Sequence, residues 1–374
     1  MFCNQIKVKN FRNIPEACVP FSEGVNVLVG FNAQGKTNLL EAIYICSAGK
    51  SFRAMRDAEL VRFGEDFATV ELTFTDERRQ KIEMKYIPGR RRSVAINSNK
   101  IGRLSDLVGR FQCVLFSPEH LTLVKGAPAI RRDFLDGAIA QLRPMYTVAL
   151  EKYERILKQR NTLLKNALED RATFDATVGF WSEQLAHEAA ILSRFRESYV
   201  KQAEAFMQTC FLQMSKKTGA VNEVPHLIYK GSSAQESYDD LNVTKENYLR
   251  LLSGNLEREI FAGTTLYGPH KDDVEIELGD KSARLYASQG QQRTLALALK
   301  LAEGEIVKKE KGSYPVFLLD DVLSELDSAR RAYLIEEIRD KQVIMTTCEA
   351  LENDISANVI YVKDGKFSSE KEEA

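Results

Sequence analysis

The stretch GFNAQGKT, Gly30 to Thr37, constrains this chain more than any other feature of its sequence. It follows a short apolar run, VNVLV at Val25–Val29, and opens TNLLEAIYICSA, whose Leu39, Leu40, Ile43 and Ile45 have helical spacing. A buried strand, a glycine-rich turn and a helix, with G-x-x-x-x-G-K-[ST] across the turn, make a phosphate loop. Backbone amides of such a turn point at phosphate oxygens, and the helix dipole favours negative charge there. The pattern assigns phosphate contacts to Gly30, Phe31, Asn32, Ala33, Gln34, Gly35, Lys36 and Thr37. Lys36 would reach the terminal phosphates, and the Thr37 hydroxyl would ligate Mg²⁺. A glycine turn that merely starts a helix explains neither the lysine nor the threonine.

Two later motifs share that chemistry. VFLLDD, Val316–Asp321, sets four apolar residues before two carboxylates, so the acids emerge at the C-terminal end of a buried strand, where α/β sheets bind ligands. Asp320 is expected to hold Mg²⁺, and Asp321 to orient or deprotonate an attacking water. About 30 residues earlier, SQGQ places Ser288 three residues before Gln291, a capping-box pattern at a helix start. A capped helix N-terminus is also an anion site, so a structural cap and a phosphate contact are compatible. SELD, Ser324–Asp327, follows the carboxylate strand closely.

Around these motifs the chain changes texture. Residues 67–101 read as antiparallel strands, with KIEMKYI and RSVAI flanking a Pro88-Gly89 turn. Between Pro144 and Pro225 there is no proline, and apolar residues recur every third or fourth position, predicting two long antiparallel helices. After about Leu266, VEIEL, the SQGQ helix, YPVFLL, a further helix and QVIMTT alternate, which implies a parallel sheet covered on both faces. NVIYVKDGKFS closes as a hairpin. With 374 residues, two domains or one with a long insertion are expected. The segments are 1–115, a first ATPase part; 116–265, an inserted helical arm; and 266–374, a second ATPase part.

Composition removes other classes. The most apolar stretch, Thr294–Ala302, is far short of the roughly 20 residues that span a bilayer. Residues 1–13 lack the apolar core of a secretory signal. Six scattered cysteines without a CxxC fit reduced thiols and a cytoplasmic location. A formal charge of −1 argues against a uniformly basic surface, yet Arg78–Arg110 holds ten basic residues against Glu83 and Asp106. Within it, Arg78, Arg79, Lys81, Arg90, Arg91 and Arg92 are candidate contacts to DNA phosphates, and a solvated hairpin with charged edges is the plainer alternative.

Taken together, VKNFRNIPE before the phosphate loop, VLFSPEHLTLVKGAPAIRRDFLD, YGPHKDD at Tyr267–Asp273, SQGQQR and LLDDVLSELD resemble the RecF family, in the SMC-like and Rad50-like branch of ABC ATPases. The resemblance implies an α/β, ABC-type P-loop ATPase head with an inserted short antiparallel helical arm. It implies ATP with Mg²⁺, and an ATP-dependent homodimer in which Ser288, Gln289, Gly290 and Gln291 of one subunit complete the other's nucleotide site. It further implies a clamp on double-stranded and gapped DNA that works with RecR and the RecO pathway to load the recombinase at single-stranded gaps. The catalytic set carried over is Lys36, Asp320 and Asp321.

Three positions depart from the wider ABC pattern. Asp321 stands where glutamate is usual, Thr347 or Cys348 where a switch histidine often sits, and Ser117 where a Mg²⁺-contacting glutamine is usual, with Gln112 lying before the strand. These departures predict weak, DNA-stimulated hydrolysis, a switch more than a motor. His270 is left open between a structural hydrogen bond and a phosphate contact. A metabolic P-loop kinase, a transporter ATPase subunit and an SMC-like ATPase of another DNA-processing or defence system are the rivals. The first lacks a lid or acceptor motif, and the second fits neither the helical arm nor the missing histidine. The third would normally append a nuclease, for which the residues after Gly365 leave no room.

Overall fold

The computed structural model of the chain describes residues 1–218, 223–348 and 357–370. It opens with strands β1 (Phe2–Phe11), β2 (Ile14–Pro20) and β3 (Val25–Val29), then helix α1 (Lys36–Ala48). Strands β4 (Ala68–Thr75), β5 (Arg79–Tyr86), β6 (Ser93–Ile96), β7 (Asn99–Ile101) and β8 (Cys113–Phe116) follow. Next come α2 (Pro128–Leu142), α3 (Pro144–Asn166), α4 (Arg171–Thr218), β9 (Pro225–Lys230), α5 (Leu241–Gly254) and α6 (Leu256–Ala262). Strands β10 (Asp273–Leu278) and β11 (Lys281–Ser282) and the single turn α7 (Ala283–Tyr286) lead to α8 (Gln289–Lys311). The chain ends with β12 (Val316–Asp320), α9 (Ser328–Ile338), β13 (Val343–Thr347), β14 (Ala357–Lys363) and β15 (Lys366–Ser368).

Contacts divide the chain into two compact units. The first takes Met1–Thr122, Phe206–Glu223 and Ser288–Ala374; the second takes Leu123–Ala205 and Val224–Ala287. In the first unit an antiparallel sheet runs β2-β1-β4-β5-β6-β7, and a second sheet runs β15-β14-β3-β13-β12-β8. The second sheet is parallel from β14 to β8, with β15 turned back as the closing hairpin. Its strands β3, β8 and β12 are buried at every residue, as expected for strands covered on both faces. One core joins the two sheets: Leu39, Leu40, Ile43 and Ile45 of α1 pack with Ile6 and Val8 of β1 and with Leu318 and Ile344 of the parallel sheet. The phosphate-loop helix is therefore clasped from both sides.

The second unit carries the helical pair. Contacts of Arg160 with Ser182, Lys152 with Glu188 and Tyr146 with Phe195 run in opposite senses along α3 and α4, so the two helices are antiparallel. VEIEL departs from the expectation: β10 joins no parallel sheet, but lies between β11 and β9 in a small antiparallel sheet of this unit. Its residues alternate between buried and half-buried. Such a strand keeps one face toward solvent and suits an antiparallel pair. Among the described residues no helix is long and apolar enough to cross a membrane.

Candidate nucleotide site

The phosphate loop leaves β3 at Gly30, beside β14. A Cβ at Gly30 would lie 2.2 Å from the Val362 carbonyl oxygen, so only glycine fits there. The loop is braced at three of the residues beyond it. The Cys348 thiol donates to Asn32 Oδ1 at 3.0 Å, Asn13 Nδ2 donates to the Ala33 carbonyl at 3.0 Å, and the Gly365 amide donates to the Gln34 carbonyl at 3.0 Å. Lys36 is buried, and its ammonium donates to the carbonyls of Gly30 and Phe31, the latter at 2.9 Å, with Cys348 Sγ 3.7 Å away. The lysine thus closes the loop on itself with charge-assisted bonds.

Across this loop stands the end of β12. Thr37 Oγ1 donates to Asp320 Oδ1 at 2.7 Å, although the residues are 283 apart in sequence. Thr346, on β13, donates its hydroxyl to the same carboxylate oxygen at 2.9 Å and accepts the Asp321 amide at 2.9 Å. Asp321 has a φ of 52°, the left-handed region. The Ser324 hydroxyl donates to its carbonyl at 2.7 Å. A cleft of about 470 Å³ opens here, lined by residues 32–38 together with Asn13, Arg53, Asp321 and Thr346. The sequence motifs missed four of these groups. Asn13 lies in the quoted FRN, but Asn38, Arg53 and Thr346 carry no pattern of their own; they arrive by fold. A chain of hydrogen bonds, Arg53 to Asn38 at 3.2 Å and Asn38 to Asn13 at 2.8 Å, joins three of them.

Ser288, Gln289, Gly290 and Gln291 do not line that cleft. They form the start of α8, where Ser288 and Gln291 make the reciprocal capping box: Gln291 N donates to Ser288 Oγ at 3.2 Å, and Ser288 N donates to Gln291 Oε1 at 2.8 Å. Arg330 of α9 grips this turn. Its guanidinium donates to the Gly290 carbonyl and to Thr294 Oγ1, both at 2.8 Å, and pairs with Asp327 of the SELD segment. A Cβ at Gly290 would sit 3.0 Å from that guanidinium. The signature-like turn and the SELD segment are thus mechanically one piece.

The departing positions are occupied as follows. Ser117 is buried, and its amide donates to His120 Nδ1 at 3.0 Å. Gln112 donates to the Gly109 carbonyl at 3.1 Å. Cys348 faces the phosphate loop, as described.

The basic run is split between the two ends of one strand. Arg79 begins β5 with Arg78 just before it, and Arg90, Arg91 and Arg92 lie in the turn after it. Strand rise separates these groups by roughly 25 Å. Lys81, between them, is paired with Glu83 at 2.9 Å and Glu71 at 3.6 Å. Register places the Arg90–Arg92 turn at the nucleotide end of the sheet: Tyr86 pairs with Ala68, and Thr69 pairs with Lys9, just before Arg12 and Asn13.

His270 belongs to the second unit and is used up structurally. Its Nδ1 accepts the Tyr153 hydroxyl at 2.6 Å, and its Nε2 lies 3.1 Å from the Thr265 carbonyl, which fixes the neutral tautomer protonated at Nε2. Burial pushes its pKa down to about 4. The neighbouring motif residues also bind inward. Asp273 takes both arms of Arg131 at 2.7 and 2.8 Å, and the Pro269 carbonyl accepts from Arg196 at 2.6 Å.

The chain is similar to known proteins over nearly its whole length. The family described as RecF/RecN/SMC N terminal domain matches residues 2–366. A protein of Ruminiclostridium cellulolyticum described as DNA replication and repair protein RecF is 39% identical over 367 residues, 97% of each chain. The solved structure of the recombination mediator protein RecF-ATPrS in the RecFOR pathway superposes with a TM-score of 0.91 at 34% identity, covering 98% of this chain and 97% of that one. An Smc head bound to the C-winged helix domain of ScpA, 18% identical with a TM-score of 0.55, covers 98% of this chain and 96% of its own and shares the fold alone.

Proposed function

This chain belongs to the RecF family of DNA replication and repair proteins, and we propose that it is an ATP-switched DNA clamp serving recombinational repair. The observation that carries this reading is the meeting of Thr37 with Asp320 at the mouth of a phosphate loop. A hydroxyl and a carboxylate oxygen, both hard donors, fit Mg²⁺, whose charge would neutralise the phosphates of bound ATP. Loop amides and Lys36 would hold the phosphates, and Thr37 and Asp320 would hold the metal. Asp321 orients the attacking water and takes its proton. The carboxylate of Asp321 is one methylene shorter than the usual glutamate, and Thr347 or Cys348 stands where a switch histidine would act. Both favour slow hydrolysis that resets a switch.

ATP joins two copies, each presenting Ser288–Gln291 to the other's nucleotide, and DNA lies against their basic turns. Support for this geometry is the rigid mounting of the signature turn, away from its own cleft. Gapped duplex DNA, RecR and the RecO pathway are the proposed partners, in line with the RecFOR setting of the structural relative. Sedimentation of the full chain with and without ATP and Mg²⁺, and with duplex DNA added, tests the reading. Dimers that form with ATP and take up DNA support it; a constant monomer indifferent to DNA overturns it.

A further inference from the structure

A second cleft, of about 270 Å³, lies in the first unit outside the nucleotide site. Its rim is cationic: Arg91, Arg92 and Arg103 against the single acid Asp57. Its floor is aliphatic, from the half-buried Val94, Ile101 and Leu104. Arg91 donates to the Gly102 carbonyl at 2.8 Å, bridging the β5–β6 turn to the segment after β7, and Arg92 pairs with Asp57 at 3.2 Å. The exposed Arg103 guanidinium has no partner among the described residues. Two of the three arginines thus fix the frame, and the third is left with its charge unanswered.

An apolar floor under an arginine rim does not suit a duplex backbone, which offers phosphates and sugars while its bases stay stacked. It suits an unpaired nucleotide, whose base lies on the aliphatic floor or a guanidinium plane and whose phosphate meets the rim. The cleft has room for one such unit. We propose that it seats a single unpaired nucleotide of a DNA strand.

The placement gives this site a link to ATP. Gly49 ends α1 against Leu104, where a Cβ would come within 2.0 Å of the leucine side chain. From there residues 50–57 run from Arg53, in the nucleotide cleft, to Asp57, in the arginine cleft. The start of that segment is pinned to α1 by the Ser51 hydroxyl, which donates to the buried carboxylate of Glu41. One short segment therefore contributes to both sites.

The inference rests on the DNA-binding reading above, and the test separates the two. Fluorescence anisotropy of the full chain with ATP and Mg²⁺ would compare a short oligo(dT), an abasic strand of equal phosphate number, and a blunt duplex. Wild type is expected to bind oligo(dT) about tenfold more tightly than the abasic strand. Arg103→Ala and Arg103→Gln, which remove no internal bond, are expected to erase that ratio while keeping most duplex affinity. Equal binding of oligo(dT) and abasic strand by wild type, or variants that keep the ratio, overturns the nucleotide seat and leaves the clamp standing. Wild type that binds none of the three probes overturns the clamp itself.

Discussion

Thr346 and Asp321 are joined by a hydrogen bond that runs from the Asp321 amide to the Thr346 hydroxyl at 2.9 Å, and the same hydroxyl donates to Asp320. One side chain so orients both carboxylate residues and holds Asp321 in a left-handed conformation that costs roughly 1–2 kcal/mol for a non-glycine residue. Thr346→Val keeps the shape and removes both bonds. It is expected to lower kcat for ATP roughly tenfold and to shift KM by less than about threefold, while Thr346→Ser retains most activity. Steady-state hydrolysis of the three proteins checks this; a Val variant with wild-type kcat would refute the positioning role.

Gly290 lies under the Arg330 guanidinium, where a methyl group would sit 3.0 Å from the nearest nitrogen, so the arginine must give by a few tenths of an ångström. Gly290→Ala displaces the arginine that mounts the signature turn on the SELD segment. ATP-dependent self-association is expected to weaken about tenfold, a change of about 1.4 kcal/mol. The affinity of the monomer for ATP should stay as it is, because the turn does not line its own cleft. Sedimentation and a fluorescent ATP analogue report the two quantities separately.

Arg160 and Glu259 form a fully buried ion pair in the second unit, and Arg160 also donates to Thr265 Oγ1 at 2.8 Å and Ser182 Oγ at 3.0 Å. Arg160→Met strands the carboxylate and is expected to cost about 3–5 kcal/mol. Arg160→Met/Glu259→Leu removes both charges and should recover much of that loss. Urea titrations give the comparison; a single variant as stable as the wild type would contradict the assignment.

His270 has its pKa lowered by burial to about 4 in the folded protein, against about 6.5 unfolded. The unfolded chain therefore takes up the proton first as pH falls. The contribution of His270 to stability is whole above about pH 6.5 and is lost as pH falls through about 4. Urea midpoints measured across that window should fall more steeply for wild type than for His270→Gln. Parallel curves would show that the histidine does not titrate as the fold implies.

Local chemistry was readable in the sequence wherever one short segment contains the whole device. The phosphate loop, the buried carboxylate strand and the Ser288–Gln291 cap all formed where their spacing put them. What escaped was placed by pairing across distance. Thr346 is one of several residues in an apolar strand until β13 lies beside β12. The run of ten basic residues reads as one patch along the chain, but an extended strand carries its two ends apart. VEIEL was a sound strand whose partner, β9, sits in a stretch that reads as helical. The boundaries at 115/116 and 265/266 follow helical texture, whereas contacts assign Phe206–Glu223 to the first unit.

The position of β3 between β13 and β14 sets a timetable for the nascent chain. Asn26 reaches the Val343 carbonyl at 3.2 Å across 317 residues, and the Cys3 amide finds Gln342 across 339. At about 5–20 residues per second, a ribosome needs roughly half a minute between making the phosphate loop and making its neighbours. Until then β3 has neither of its sheet neighbours and α1 is covered only on the side of the antiparallel sheet, and such long-range pairing makes for slow closure. The nucleotide cleft is therefore among the last parts of the molecule to exist, and a chain stopped short of β13 carries the phosphate-loop sequence without the ATP site.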